Sequence, residues 1–129
     1  MLMEQGDNIP YVNPNGKTVQ IKSVGQYVNI KDGVAIHEGV TIGNGVIIEA
    51  GAVIRSNAII EDGVIIYNNA KIGVGALIEK CCCILFNAAV GNGVAIGQYS
   101  TICKGESVHE NIRCHSLLCE GRITDLFTA

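Results

Sequence analysis

The side chains able to do chemistry are few. Histidine occurs three times, as His37, His109 and His115. A neutral imidazole can ligate zinc or act as a general base near neutral pH. Cysteine occurs six times, as Cys81, Cys82, Cys83, Cys103, Cys114 and Cys119. Three of these are consecutive, a poor disulfide framework, and none has the paired C-x-x-C spacing of a zinc site. Such usage reads as a reducing, intracellular compartment. Gly43-Asn44-Gly45 and Gly91-Asn92-Gly93 are turn chemistry; no helical pattern follows either, so neither is a phosphate loop.

The elements that must position these residues form one domain. Hydrophobic residues make up 48% of the chain and aromatics only 5%, with 16 glycines and no Trp. Aliphatics and small residues in that ratio suit a repetitive β architecture. The net charge is −3, with no Lys/Arg block, which argues against a nucleic-acid partner. The opening MLMEQGDNIP has no apolar stretch, so no signal peptide is expected, and no run reaches membrane-spanning length. A cytoplasmic protein without membrane insertion is the expectation.

A period of six organises almost the whole chain. Stepping by six from Val24 gives Ile30, Ile36, Ile42, Ile48, Ile54, Ile60, Ile66, Ile72, Ile78, Ile84, Val90, Ile96, Ile102, Val108 and Cys114. Two residues before most of these stands Val, Ala or Cys, as at Val46, Ala58 and Cys82. One residue earlier again stands Gly or Asn, as at Gly45, Gly51, Asn57, Gly63, Asn69 and Asn111, with Cys81 an exception. Gly and Asn tolerate a positive φ, so this column predicts a sharp turn every six residues. Each hexapeptide is then a short strand and a corner. Three make one triangular coil of about eighteen residues. The prediction is an all-β fold: a left-handed parallel β-helix of about five coils, its hand taken from hexapeptide-repeat proteins in general. Residues 1–23 would form an N-terminal hairpin cap around Asn15-Gly16, 24–116 the β-helix, and 117–129 a C-terminal cap or tail. Uninterrupted steps from Val24 to Cys114 leave no extruded loop.

Strand side chains alternate, so the residues flanking each inward aliphatic face outward. Stacking by eighteen collects Ile47, Ile65, Tyr67, Cys83, Leu85 and Cys103 on one face, with Phe86 at its corner. A contiguous apolar stripe marks a contact surface. A second face carries Ala35, His37, Arg55, Lys71, Gly73, Gly91, Ser107 and His109 and is small and basic. A third is mixed, with Glu61 and Glu79. Cys82 and Cys114 fall in inward columns, where a free thiol packs as a small hydrophobe. Cys83 and Cys103 are offset along their strands, so no bridge between them is implied.

The repeat also weighs the chemistry. Hexapeptide-repeat carbonic anhydrases hold zinc with three histidines at a subunit boundary. Here His37 and His109 share a face but lie four coils apart, about 19 Å at ordinary strand spacing. His115 falls on another face. No metal site and no resident cofactor are therefore expected. An acyltransferase of this architecture needs a general-base histidine beside a groove for an acyl-carrier arm. His109 and His115, near the last coil, are the candidates for that role.

The segment IEKCCCILFNAAV, from Ile78 to Val90, is less generic than the rest. Cys81, Cys82, Ile84, Leu85 and Asn87 match a Cys-Cys-x-Ile-Leu-x-Asn run, and Tyr99-Ser100 and the Asn15-Gly16-Lys17 turn match further features. In these the chain resembles the small β-helix subunits at the pointed end of dynactin, of the subunit 5 type. It departs from them in lacking late proline pairs, an early Arg-Gly-Asp stretch and a mid-chain loop. The resemblance implies a non-enzymatic scaffold or adaptor subunit, associated with the cytoskeleton, binding a second β-helix subunit or a cargo adaptor in dynein-based transport. The alternative is a homotrimeric hexapeptide-repeat acyltransferase or a γ-carbonic-anhydrase-like protein. Both expectations use the apolar face, to meet a different subunit or another copy.

Overall fold

The architecture, a computed structural model in which residues 1–126 are described, is all-β. An antiparallel hairpin opens it: β1 (Gly6–Val12) pairs with β2 (Thr18–Val24), Ile9 opposite Ile21. Fourteen two-residue strands follow at six-residue intervals, β3 (Asn29–Ile30), β4 (Ala35–Ile36), β5 (Thr41–Ile42) and onward to β16 (Ser107–Val108). The chain ends in a second hairpin, β17 (Ser116–Cys119) with β18 (Arg122–Asp125). The last three positions of the expected C-terminal cap or tail, 127–129, lie outside the described residues.

Each strand from β3 to β13 pairs in parallel with the strand three ahead, as in Ile47 with Ile65 and Ile48 with Ile66. Three sheets result: one of six strands including β1 and β2, one of five from β4 to β16, and one of seven from β3 to β18. This is the hexapeptide parallel β-helix of about five coils that the period requires. The inward column is sealed, with Ile36, Ile48, Ile54, Ile60, Ile66, Ile72, Ile78 and Ile84 at 0% exposure. Ala58, Ala70 and Ala76 fill the corners beside them. Isoleucine suits the column because its branched Cβ packs well on a pleated surface. Each such side chain contributes on the order of 1.5–3 kcal/mol by leaving water.

The corners follow the glycine and asparagine column. Gly45, Gly51 and Gly63 have φ of 67°, 80° and 71°, and Asn57 and Asn69 have 62° and 63°. One corner also forces larger residues into this region: Tyr27, Cys81, Tyr99 and His115 have φ between 56° and 59°. Each costs roughly 1–2 kcal/mol that neighbouring contacts must offset.

The unbroken period to Cys114 needs correcting. After Val108 the next inward residue is Ile112, 4% exposed, which bridges Ile96, while Cys114 is exposed. Leu118 then pairs with Ile102, so the last coil is two residues short. Asn111, expected at a positive-φ corner, is absent from that conformation. Its side chain does other work. In earlier coils a backbone carbonyl receives this amide, as Val94 does from Leu77 at 3.0 Å. In the short coil Asn111 Oδ1 accepts from Ala95 N at 2.9 Å instead.

Both ends of the helix are covered by side chains and short pairings. Asn13, at the end of the first hairpin strand, accepts from Ile36 N at 2.7 Å and donates to Ile36 O at 2.8 Å. Tyr11 donates its hydroxyl to Val34 O at 2.7 Å, and burial with the nearby Asp32 charge raises its pKa. Met3 N donates to Val28 O at 2.7 Å.

Candidate functional site

The five-stranded sheet aligns the basic face. Ala35, Val53, Lys71, Ala89 and Ser107 stack in register. Beside them run His37, Arg55, Gly73, Gly91 and His109, each of the first four amides bonding one coil onward. A side chain is excluded at Gly73 and crowded at Gly91. A Cβ on Gly73 would lie 2.5 Å from Gly91 C, and one on Gly91 would lie 3.0 Å from Val108 O. Bare backbone therefore separates Arg55 from His109, with Lys71 and Ala89 alongside. This is a flat strip with cations toward one end.

At the N-terminal end of the strip the hairpin turn overhangs the sheet. Between them lies a pocket of about 390 Å³, lined by Asn13, Pro14, Asn15, Lys17, Val19, Ala35, Ile36, His37, Glu38 and Ser56. The turn is held by Asn13 N to Lys17 O at 2.8 Å, Gly16 N to Asn13 O at 2.8 Å and Lys17 N to Asn15 Oδ1 at 3.0 Å. Glu38 Oε2 accepts only a long bond, 3.4 Å, from Gln20 N. An imidazole, a carboxylate and an ammonium thus edge one concavity whose floor is aliphatic. A largely apolar pocket with a few convergent polar groups is the usual form of a ligand site. The sequence brings His37 forward only as a zinc ligand and not among the candidates for a general base. The signal for it was its place opposite the hairpin, which needs the packing of the turn and not the period alone.

His109 is exposed at the far end of the same face, in a smaller groove of about 150 Å³ with Glu106, Ser107, Glu110, Gly121 and Ile123. Glu106 Oε1 is occupied there by Gly121 N at 2.9 Å. His115 is half-buried at a different corner and stacks on Tyr99. Among the described residues no three His, Cys, Asp or Glu side chains gather as a metal site.

The seven-stranded sheet carries the apolar stripe. Ile47, Ile65 and Cys83 are in register and half-buried, with Tyr67 and Leu85 beside them. Tyr67 and Phe86 meet with ring centroids 5.2 Å apart, and Phe86 is still 44% exposed. Cys103, expected free on this face, instead forms a disulfide with Cys119, Cα to Cα 5.0 Å. The two-residue shortening causes this, because it sets Leu118 opposite Ile102 and so aligns the residues that follow them. Cys82 is fully buried, and burial pushes its thiol up to about 11, past the lowering effect of a bond from the Ser100 backbone. Burial raises Cys83 as well, followed by the charge of Cys81.

Residues 22–56 and 39–80 match the family model described as bacterial transferase hexapeptide (six repeats). The chain is a hexapeptide-repeat β-helix. Among solved structures it is similar to a hexapeptide-repeat acetyltransferase from Vibrio cholerae O1 biovar eltor, complexed with acetyl coenzyme A. The TM-score is 0.70 at 17% identity, over 80% of this chain and 68% of that one. A variant of GDP-perosamine N-acetyltransferase from Caulobacter crescentus, with CoA and GDP-perosamine, matches at TM-score 0.45 and 16% identity, over 78% of this chain. This chain spans only 55% of that protein. A hexapeptide transferase family protein from Anaplasma phagocytophilum matches at TM-score 0.38 and 14% identity, over 81% and 84% of the two chains. A comparison with curated proteins finds no match.

The expectation of a non-enzymatic, dynactin-type scaffold is overturned. The family model that matches the repeat is described as a bacterial transferase hexapeptide, and the V. cholerae acetyltransferase shares the fold at a TM-score of 0.70. The residues behind the dynactin resemblance have a local explanation. Cys82, Ile84 and Asn87 occupy inward and corner positions that the coil itself dictates. No helix is long and apolar enough to cross a membrane among the described residues.

Proposed function

We propose that this chain is an acyltransferase subunit, moving an acyl group from a coenzyme A thioester to an acceptor held beside His37. The observation that carries the reading is the pocket under the hairpin turn, which holds His37 and lies on the same sheet face as Arg55, Gly73 and Gly91. Arg55 and Lys71 edge the strip and suit the phosphates of the nucleotide. The bare backbone admits the thin carrier arm. His37 Nε2 or Nδ1 takes the proton of the acceptor nucleophile as that nucleophile attacks the thioester carbonyl. The tetrahedral intermediate collapses, the carbon–sulfur bond breaks, and the imidazolium returns the proton to the leaving thiolate. The V. cholerae acetyltransferase bound to acetyl coenzyme A supports the choice of donor.

A flat strip encloses nothing by itself. No loop rises from the coils between β3 and β16 to wall it, so a second copy must supply the other side. The apolar face with Ile47, Ile65, Tyr67, Leu85 and Phe86 is the surface on which copies would associate, giving a homotrimer with sites between neighbours.

The test is thiol release from acetyl coenzyme A with a panel of amine and hydroxyl acceptors. His37→Ala should lower turnover by about 10²–10⁴-fold. His109→Ala and His115→Ala should leave it within a few-fold. Absence of turnover with every acceptor, or loss of turnover in His109→Ala with His37→Ala active, would overturn the reading.

A further inference from the structure

The covers at the C-terminal end of the prism leave one side open. Inward residues in register number six from Val24 to Ile112 on one sheet. They number six from Ile30 to Leu118 on another. On the third they number five, from Ile36 to Val108. Where the third side of the sixth coil belongs, the chain turns back as β18 and pairs antiparallel with β17. What remains is a notch above β16, one strand deep, about 4.8 Å.

The backbone at the floor of the notch is unpaired. In the coil below, Ala89 N donates to Glu106 O and Gly91 N to Val108 O, both at 2.8 Å. The equivalent amides one coil on, Ser107 N and His109 N, meet no strand, and among the described residues neither has an acceptor. Both residues are exposed. The groove of about 150 Å³ lies against them, lined also by the inward residues Val108, Ile112 and Leu118 and by Ile123 of the terminal hairpin. Two carboxylates complete the lining. Glu106 gives Oε1 to Gly121 N and keeps Oε2 free, and Glu110 is exposed and accepts no bond.

We infer that the notch binds an extended peptide segment as the third side of the sixth coil, paired in parallel with β16, with one aliphatic side chain over Val108 and basic residues flanking it. The segment accepts from Ser107 N and His109 N and donates one amide to Ser107 O, which is the ladder every earlier coil uses. Its aliphatic enters the space beside Ile112 and Leu118, where the column lacks a member. Glu106 and Glu110 call for lysine or arginine on either side. A second copy of the chain does not fit. Its N-terminal end has its own edges covered by β1, Met1 and Asn13. Any blunt end would meet β17 and Ile112 before it reached a floor one strand lower.

The experiment titrates the full chain with a capped peptide, Thr-Lys-Ile-Lys-Ser, and follows binding by NMR and amide hydrogen exchange. Binding should protect Ser107 N and His109 N and leave Gly91 N, already bonded, unchanged. Methylating the isoleucine nitrogen of the peptide removes the donor to Ser107 O and should weaken binding about tenfold. Thr-Glu-Ile-Glu-Ser should bind several-fold more weakly, a gap that added salt narrows. Thr-Lys-Asp-Lys-Ser should not bind. His109→Pro deletes one donor at an edge position and should weaken binding with melting unchanged. Glu110→Lys should remove the preference for the basic peptide, also with melting unchanged. No binding at millimolar peptide, binding that leaves both amides exchanging freely, or equal binding of the methylated or the acidic peptide would each overturn the inference. So would a self-associated chain that protects the same two amides without peptide.

Discussion

Tyr99 lies flat against His115, ring centroids 5.2 Å apart and planes only 10° from parallel. Both residues have φ near +58°, and they occupy successive coils of one corner. His115 N donates to Gln98 O at 2.8 Å, which draws the two corners together. The stack therefore covers the point where the last coil loses two residues. Two variants separate the strain from the contact. Tyr99→Ala should lose the stack and keep the strained φ, costing about 1–2 kcal/mol. Tyr99→Gly loses the same stack and relieves the φ, so it should be the more stable of the two by about 1 kcal/mol. Chemical denaturation of both variants reads the difference.

Ile66 sits at 0% exposure in the middle coil, walled by Ile48 and Ile84 in register. Ile66→Asp buries an unpaired charge and should abolish the cooperative melt. Ile66→Ala should fold and lose about 2–5 kcal/mol. A native melt for the aspartate variant would mean that the inward column is misassigned.

The three consecutive cysteines should separate by reactivity. Cys81 is exposed, Cys83 half-buried and Cys82 fully buried. At pH 8 a maleimide should label Cys81 and Cys114 quickly and leave Cys82 protected until unfolding. The same burial sets a pH dependence. The unfolded Cys82 thiol ionises near 9.0 and the folded one near 11. Its contribution to stability is present below pH 9 and falls as pH rises from 9 to 11, by about 3 kcal/mol in all. Cys82→Ala should flatten that slope in urea melts followed against pH.

Association should run through the apolar face. Ile65→Lys and Leu85→Lys place charges on half-buried, outward positions, so melting should persist while sedimentation shows a smaller species. Retained assembly in both variants would reassign the contact surface.

Reduction of the Cys103–Cys119 bond should act locally. The bond spans a sequence separation of 16 and ties the end of β17 to the coil before it, and its loss should cost up to about 3 kcal/mol. Hydrogen exchange in Cys119→Ser should quicken in residues 116–125 and leave the middle coils unchanged.

Most of this architecture was legible in the sequence because one physical constraint repeats. An aliphatic at each strand and a positive-φ residue at each corner are local requirements, so Ile48, Gly45 and Asn57 announce their places individually. The reading failed where the repeat ends. Ile112 and Cys114 are both plausible inward residues by type, and only the closing of the last coil decides between them. The Cys103–Cys119 bond was hidden for the same reason, since its alignment depends on that shortening. The His37 pocket was invisible because its other wall, the Asn13–Lys17 turn, is far in sequence and has no period. The dynactin resemblance misled because its matching residues include ones every such coil must place somewhere.

A stack of parallel strands is a template for its own continuation: the top edge of each sheet offers free donors and acceptors to any strand of another molecule. Above β2 the antiparallel β1 closes that edge, and above β3 the bond from Ile30 N to Met1 O begins to do so. Above β4 the single side chain of Asn13 does the task, giving Ile36 both the acceptor and the donor it lacks. Along that one edge a single carboxamide stands between the solenoid and end-to-end strand addition, so the safeguard against fibre growth through β4 is concentrated in one residue.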